Sequence, residues 1–152
     1  MVVWRICAER LAARAFEGEG ARTYGGRWNH PGVAVVYASA TLALAILELL
    51  VHVDAATIPE DLVTFAIDVP ERLTMTRVAE ADLPAGWCYY PSPEATRDVG
   101  TRWVREGKTA VLVVPSAVVP QENNYLLNPA HPEFSRLRIG KPQAFRFDPR
   151  LL

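Results

Sequence analysis

The sequence predicts a mixed α/β (α+β) fold in which short helices flank an incomplete mixed sheet. Three observations carry this prediction. Residues 61–69 alternate apolar and polar side chains, as expected for a strand with one wetter face. Residues 109–114 form a short apolar run typical of a central strand. Between them, Ser92-Pro93-Glu94 and the later Gly107 are the start and stop signals of a helix.

The first half of the chain predicts two strands and two helices. In chain order these are a strand over residues 2–6, a short helix over 8–16, a strand over 33–38 and a helix over 42–53. A turn at Gly25-Gly26 presents Arg27, and Ser39 or Thr41 caps the second helix. Because that helix is apolar almost all round, we expect it to be buried.

The positions of the prolines predict where the loops of the second half of the chain lie. The 12 prolines cluster over residues 84–93 and 115–142, which predicts long ordered loops rather than linkers between domains. Residues 115–142 are therefore expected to be mostly loop. Residues 143–147 predict a closing strand.

Length and charge limit the number of domains and the kinds of partner that the chain can have. A chain of 152 residues with 50% hydrophobic composition is long enough for one substantial core, so we expect a single domain over residues 1–152. Its 16 basic and 17 acidic residues give a net charge of −1, and no block of like charge stands out. We therefore expect no direct contact with nucleic acid.

Cysteine, histidine and charge placement indicate a cytoplasmic protein. Cys7 and Cys88 make no disulfide framework, and with three scattered histidines they offer no metal-ligand spacing, so no metal site is expected. Charged residues within the first fourteen positions argue against a signal peptide. A membrane span over residues 33–53 is disfavoured because Glu48 interrupts it.

Three polar residues stand in contexts that favour apolar side chains. Arg27 follows a glycine pair, Glu48 lies inside an apolar run, and Ser116 follows the strand-like Val-Leu-Val-Val-Pro. An arginine beside glycines can bind phosphate or carboxylate, and an oriented carboxylate can stabilise an oxocarbenium-like transition state. A surface ion pair, a structural buried pair and an ordinary turn are the alternative explanations. The sequence has neither a Rossmann fingerprint nor the frame of a Ser-His-Asp hydrolase around Ser116.

Aromatic and amide side chains accompany these positions. Tyr24, Trp28 and Tyr37 flank Arg27 in sequence and can stack on a flat ligand ring, although packing in the core is the alternative. Residues 121–132 are dense in amides and turns, as in a ligand wall or a self-capped surface loop.

As an ordered set, these residues resemble the RES domain family. The matching segments are Tyr-Gly-Gly-Arg-Trp-Asn at 24–29, Val-Tyr-Ala-Ser at 36–39, the helix bearing Glu48, Val-Pro-Ser at 114–116, and Glu-Asn-Asn-Tyr-Leu-Leu-Asn-Pro-Ala-His-Pro at 122–132. The family is named for an arginine, a glutamate and a serine, which correspond here to Arg27, Glu48 and Ser116. The resemblance spans nearly the whole chain and implies a fold similar to that of ADP-ribosyltransferases.

The resemblance also implies a biological role. Members are toxins of bacterial type II toxin–antitoxin pairs, with an Xre-like helix-turn-helix antitoxin, and they act on NAD+. NAD+ would be consumed as a substrate, so no cofactor is implied, and phosphate is a candidate co-substrate. Nicotinamide would leave, and water, phosphate or a protein side chain would attack the anomeric carbon.

The resemblance assigns catalytic roles to Arg27, Glu48 and Ser116. Arg27 would grip the nicotinamide-proximal phosphate or ribose, and Glu48 would orient the ribose or stabilise its developing positive charge. Ser116 would hydrogen-bond the ribose or the carboxamide. The substrate-binding residues would be Tyr24, Trp28, Tyr37 and Asn124. Roles for Asn128 and His131 are left open.

Three functions remain open at this point. The first is NAD+ degradation by hydrolysis or phosphorolysis, which would arrest growth. The second is ADP-ribosylation of a host protein by the same site, and the third is a noncatalytic module that binds its antitoxin. We expect the antitoxin to cover the cleft around Arg27 and Glu48. A homodimer is left open, because no interface pattern is visible.

Overall fold

Eight strands form one mixed sheet in the computed structural model, which describes residues 1–53 and 57–151. The strands are β1 (Val2–Ala8), β2 (Val36–Ser39), β3 (Leu62–Asp68), β4 (Met75–Arg77), β5 (Val111–Pro115), β6 (Asn123–Leu127), β7 (Arg138–Ile139) and β8 (Gln143–Phe145). Their spatial order is β4-β5-β6-β2-β1-β3-β7, and β8 also pairs with β3. The β4–β5 pair is parallel and the other described pairs are antiparallel. The predicted mixed sheet is confirmed.

Short helices flank this sheet. In the described residues the α-helices are α1 (Glu19–Tyr24), α2 (Leu42–Leu50) and α3 (Glu94–Glu106). The Thr41 hydroxyl caps α2 by accepting a hydrogen bond from the Leu44 amide at 3.0 Å. Gly107 follows α3 in the left-handed conformation, with φ at 59°, and ends it as predicted. Ser92 does not cap α3, because Pro93 occupies the capping position without a side-chain hydrogen bond.

The segment after β1 differs from the prediction. The expected helix over residues 8–16 is a 3-10 helix at Glu9–Arg14, and α1 follows it where the sequence pattern predicts only a glycine-rich stop. Further 3-10 helices cover Glu80–Asp82, Pro132–Arg136 and Pro149–Leu151. Glycine signals therefore mark this segment as a break but do not show that a helix restarts there.

Strand β6 (Asn123–Leu127) lies in a stretch that the sequence predicts to be mostly loop, and the sequence pattern does not predict this strand. It pairs with β5 on one side and with β2 on the other, so it is more central than β5. Tyr125, Leu126 and Leu127 are buried. Its start, Asn123-Asn124, looks like a turn in sequence, but the partner strands satisfy its backbone groups.

Helix α2 is less buried than its composition predicts. Leu44 and Ala45 are buried where α2 packs toward β1 and β2, whereas Leu47 is 42% exposed and Val51, just after the helix, is 58% exposed. The expectation of a fully buried helix is therefore wrong. One face packs on the sheet, and the opposite face is open.

The sheet opens between β1 and β2. Strand β1 pairs with β3 over seven residues, but its register with β2 has one pair, Trp4↔Ser39. Beyond that pair, the backbone carbonyl of Tyr37 accepts a hydrogen bond from Arg5 Nη1 at 2.8 Å. A side chain thus replaces a ladder hydrogen bond, and the two strands diverge.

The core lies on both faces of the sheet. Along β5, Val111 and Val113 pack into one cluster, while Leu112 and Val114 pack into the other. The second cluster includes Trp28, Trp87 and Trp103. Trp28 therefore anchors the loop that carries Arg27.

Candidate active site

The carboxylate of Glu48 is held by two side chains, one from a strand of the sheet and one from the residue that follows a strand. Its Oε1 accepts a hydrogen bond from the Ser116 hydroxyl at 2.7 Å and another from Asn124 Nδ2 at 2.6 Å. Glu48 comes from α2, Ser116 follows β5, and Asn124 lies in β6. Hydrogen bonds to a charged group contribute about 1.5–3 kcal/mol each, so the carboxylate orientation is well defined.

Ser116 positions Glu48 and has no exposed surface. The residue is 0% exposed. Besides donating to Glu48, its hydroxyl accepts hydrogen bonds from the amides of Val118 and Val119, each at 3.0 Å. The hydroxyl is fully used within the protein. The expectation that Ser116 contacts the ribose or the carboxamide is therefore not supported in this structure, and its geometry is that of a positioning residue.

Asn124 is oriented by a chain of hydrogen bonds. Its Oδ1 accepts from the Ser39 hydroxyl at 2.8 Å, which leaves Nδ2 to donate to Glu48. The β6–β2 register places Asn124 directly opposite Ser39. Sheet pairing thus fixes the amide that holds the carboxylate.

The Arg27 side chain is fixed by backbone carbonyls. Its Nη1 donates to the carbonyls of Trp87 at 2.8 Å and Tyr89 at 2.9 Å. Burial lowers the pKa of the Arg27 guanidinium, while the nearby charge of Glu48 acts in the opposite direction. The two charges are therefore coupled, although the guanidinium is held by the loop at Trp87–Tyr89 instead of being bonded directly to Glu48.

Two cavities meet at Glu48. The first cavity, of about 250 Å³, is lined by Trp4, Arg5, Tyr37, Ser39, Glu48 and Asn124, among others. The second cavity, of about 350 Å³, is lined by residues that include Arg27, Glu48, Val51, Cys88, Tyr90 and Val118. Glu48 and His52 belong to both linings. The fixed carboxylate can thus act on a ligand in either space.

Tyr37 contributes a ring to the first cavity, and its hydroxyl is engaged elsewhere. The hydroxyl donates to Asn29 Oδ1 at 2.7 Å and accepts from the Trp28 amide at 3.1 Å. Burial raises the pKa of Tyr37 well above its usual range. A Cβ on Gly26 would lie 2.6 Å from this hydroxyl, which explains why glycine precedes Arg27. Tyr37 therefore locks the loop that carries Arg27.

Other predicted residues lie outside the cavities. Trp28 is 2% exposed and packs on Trp87 with ring centroids 6.2 Å apart, so the structure places it in the core. Tyr24 is 84% exposed and lines neither cavity among the described residues. Asn128 and His131 fasten the loop after β6, where each accepts a hydrogen bond from a backbone amide two residues further on.

Comparison with known proteins identifies the family. The RES domain matches residues 2–148 of the chain. The protein belongs to the RES domain family. It is 41% identical over 152 residues to Toxin Res of Yersinia enterocolitica, with 99% of each chain covered. It is also 39% identical over 156 residues to the Prs ADP-ribosylating toxin of a Sphingobium strain, covering 98% of this chain and 95% of the relative.

A solved structure shares the fold. The RES domain described here is similar to a chain in the crystal structure of the M. tuberculosis MbcT-MbcA toxin-antitoxin complex, with a TM-score of 0.77 and 20% identity. The match covers 95% of this chain and 84% of that one. The likeness supports a single mixed arrangement of sheet and short helices over almost all of the chain.

Several cavity residues of this RES domain are not predicted from its sequence. Arg5 looks like an ordinary charge in strand β1, and its place in the first cavity depends on the opening between β1 and β2. His52 lies four residues after Glu48, a helical spacing that could have placed it beside the carboxylate. Cys88 and Tyr90 lie in a proline-rich loop whose sequence gives no indication that it lines a cavity.

Residues 1–53 and 57–151 contain neither a metal-binding cluster nor a membrane-spanning helix. No group of three or more histidine, cysteine, aspartate or glutamate side chains there could hold a metal ion. Within the same residues, no helix has the length and hydropathy needed to span a bilayer.

Proposed function

We propose that this RES domain is the toxin of a toxin–antitoxin pair and that it consumes NAD+ by cleaving the bond between nicotinamide and ribose. The observation that carries the proposal is the Glu48 carboxylate, fixed by Ser116 and Asn124 where two cavities meet. A fixed carboxylate can stabilise positive charge at an anomeric carbon. The relatives named Toxin Res and Prs ADP-ribosylating toxin support the toxin role and the substrate class.

The proposed reaction breaks one carbon–nitrogen bond. The electron pair of that bond leaves with nicotinamide, and positive charge develops at the anomeric carbon beside Glu48. Water or a phosphate oxygen then forms the new bond to this carbon, and attacking water loses its proton to solvent. The products are nicotinamide and ADP-ribose, or nicotinamide and ADP-ribose phosphorylated at the anomeric position. NAD+ is a consumed substrate, so the proposal needs no cofactor and no metal.

The residues divide into contacting and positioning groups. Glu48 faces the reacting sugar, and Arg27 offers the unengaged part of its guanidinium to a phosphate or ribose oxygen. The Tyr37 ring forms a wall for the nicotinamide end in the first cavity. Ser116 and Asn124 act through Glu48, whose carboxylate they orient.

ADP-ribosylation of a host protein is the second candidate function. The observation that favours it is the 39% identity to a relative named Prs ADP-ribosylating toxin. The bond that breaks is the same, and a protein side chain replaces water or phosphate as the attacking group. The choice of acceptor then depends on what reaches the anomeric carbon through the open cavities.

The proposal includes an antitoxin partner. The structural neighbour was solved in a toxin–antitoxin complex, which supports a partner of the same kind for this chain. We propose an Xre-like antitoxin that contacts DNA itself and covers the cleft around Arg27 and Glu48. The toxin then acts in the cytoplasm on cellular NAD+. The oligomeric state, monomer or homodimer, can be measured by light scattering on the isolated chain.

The direct test uses purified protein without antitoxin. NAD+ is incubated with the protein, with and without phosphate, and the products are separated by chromatography. We expect nicotinamide to be released by the wild type and by Glu106→Gln, a matched change of an exposed acid on α3. Glu48→Gln keeps the shape and removes the charge, so it should lower the rate at least a hundredfold. If NAD+ stays intact under all conditions and no protein becomes ADP-ribosylated, both enzymatic functions are refuted.

Two further measurements separate the candidate functions. NAD+ labelled in the adenosine part gives free ADP-ribose or its phosphorylated form if the protein degrades NAD+, and a labelled protein band if it transfers ADP-ribose. In cells, expression should stop growth and lower NAD+, and Glu48→Ala or Arg27→Ala should abolish both effects. Full toxicity of the Glu48→Ala protein would instead favour the noncatalytic module.

A further inference from the structure

Asn29 is a buried polar side chain that joins three segments of the chain, two residues after Arg27. The residue is 0% exposed. Its Nδ2 donates hydrogen bonds to the carbonyls of Ala21 at 2.9 Å, His30 at 3.1 Å and Val33 at 3.1 Å. An amide NH2 has two protons, so three acceptors leave it no spare donor. The side chain therefore fastens its own turn to α1 and to the segment that leads into β2.

The oxygen of the same amide binds the ring that lines the first cavity. Asn29 Oδ1 accepts a hydrogen bond from the Tyr37 hydroxyl at 2.7 Å. That hydroxyl also accepts a hydrogen bond from the backbone amide of Trp28 at 3.1 Å. Tyr37 is thus tied to two successive residues of the turn, and both polar atoms of the Asn29 side chain are used inside the protein.

Asn29 also closes the turn that carries Arg27. The Gly26 amide donates to the Asn29 carbonyl at 3.0 Å, and the two residues form a β-bridge with Arg27 between them. Helix α3 supports the next residue, because the His30 amide donates to the Thr101 hydroxyl at 3.0 Å. The position of the Arg27 backbone therefore depends on where Asn29 is held.

We propose that Asn29 is a positioning residue of this site and that it acts through Arg27. It fixes the backbone from which the Arg27 side chain extends, while the carbonyls of the loop at 87–89 hold the guanidinium at the other end. Through Tyr37, the same amide fixes a wall of the first cavity relative to the cation of the second. This inference rests on the proposed function, which gives Arg27 a phosphate or ribose oxygen to bind.

A loss of stability does not by itself demonstrate positioning. Asn29→Ala would remove a hydrogen-bond partner from three backbone carbonyls and one hydroxyl, so Tm should fall whatever the residue does for the site. The informative measurement is whether the effect of Asn29 on ligand binding requires Arg27. Residues that act through one another show non-additive effects, whereas independent residues show additive ones.

The test is a double-mutant cycle between Asn29→Ala and Arg27→Ala, measured as the affinity of antitoxin-free protein for ADP-ribose. With Arg27 present, Asn29→Ala should weaken binding tenfold or more. In the Arg27→Ala background the same change should alter the affinity less than twofold, because the residue through which Asn29 acts is gone. Ligand-observed NMR detects the weak binding of the double variant. All variants are compared at a temperature at which circular dichroism shows them to be folded.

Asn128→Ala is the matched control. Asn128 is also a buried asparagine, and its Oδ1 accepts a hydrogen bond from the Ala130 amide at 3.0 Å in the loop after β6. We expect it to lower Tm and to leave ADP-ribose binding within twofold in both backgrounds. Equal losses for Asn29→Ala with and without Arg27 would show that Asn29 supports only the fold, and the inference would be wrong.

A milder change covers the case in which Asn29→Ala does not fold. Tyr37→Phe removes the hydroxyl that binds Asn29 Oδ1 and keeps the ring. It should weaken ADP-ribose binding about fivefold when Arg27 is present and less than twofold when it is absent. The same loss in both backgrounds, or no loss in either, would overturn the inference. Protein that gives the expected cycle but leaves NAD+ intact would contradict the proposed catalysis alone.

Discussion

Replacing Ser116 by alanine tests whether this residue touches the substrate or acts through Glu48. One oxygen atom makes three hydrogen bonds, one to Glu48 Oε1 at 2.7 Å and one from each of two backbone amides at 3.0 Å. The hydrogen bond that orients the carboxylate is worth about 1.5–3 kcal/mol. If its loss raises the activation free energy by that amount, kcat falls by about 10- to 150-fold. Because the partly buried amides also lose their acceptor, we expect the free energy of unfolding to fall by roughly 2–4 kcal/mol.

Two assays check these expected values. For a domain of this length, the stability loss corresponds to a fall in Tm of about 5–12 °C, which is measured by scanning calorimetry or dye fluorescence. Release of nicotinamide gives kcat and KM, and Ser135→Ala is the matched control at an exposed serine in the Pro132–Arg136 helix. A raised KM with unchanged kcat and Tm would show that Ser116 contacts the substrate, and the positioning role would be wrong.

Further predictions concern the loop and the cavities. Gly26→Ala should lower both Tm and the rate of NAD+ cleavage, the latter tenfold or more, because the new Cβ would meet the Tyr37 hydroxyl at 2.6 Å; Gly20→Ala, with nothing within 4 Å, should raise stability by about 0.5–1 kcal/mol. Iodoacetamide should alkylate the exposed Cys88 and block cleavage, and an equally inhibited Cys88→Ser protein would contradict this. Burial raises the pKa of Tyr37, so the folded state disfavours the phenolate, whereas the unfolded chain ionises normally near pH ~10. The contribution of Tyr37 to the free energy of unfolding is therefore fully present below pH ~10 and is lost as the pH rises above it. Tm should fall less between pH 9 and 11 in Tyr37→Phe.

Glu48 shows how much of the site can be predicted from the sequence. A carboxylate inside an apolar helix pattern is visible without any structure, and so is the Gly-Gly pair before Arg27. The hydrogen bonds of Glu48 are not visible, because they depend on β6, whose polar start at Asn123-Asn124 looks like loop. Only the pairing of β6 with β2 and β5 brings Asn124 and Ser116 to the same carboxylate.

The burial of individual side chains was the least predictable feature. Trp28 and Tyr24 have similar sequence contexts beside the glycine pair, yet one is 2% exposed and the other 84%. Likewise, α2 has an apolar outer face that its composition assigns to the core. Such differences come from which neighbouring elements pack nearby, and those contacts lie far apart along the chain.

The exposed apolar side chains beside the site offer a binding surface to a partner that would also block the site. Val51 is 58% exposed and Tyr90 84%, and both line the second cavity together with Glu48 and Arg27. Leu47, on the outer face of the same helix as Glu48, is 42% exposed. Burying such surface is favourable at roughly 25 cal/mol per Å² of apolar area. A partner that gains this energy must also close the second cavity, so we expect antitoxin binding and ADP-ribose binding to be mutually exclusive. Under the proposed function, the apolar surface that stabilises the complex and the cavity that must be blocked are therefore parts of one surface.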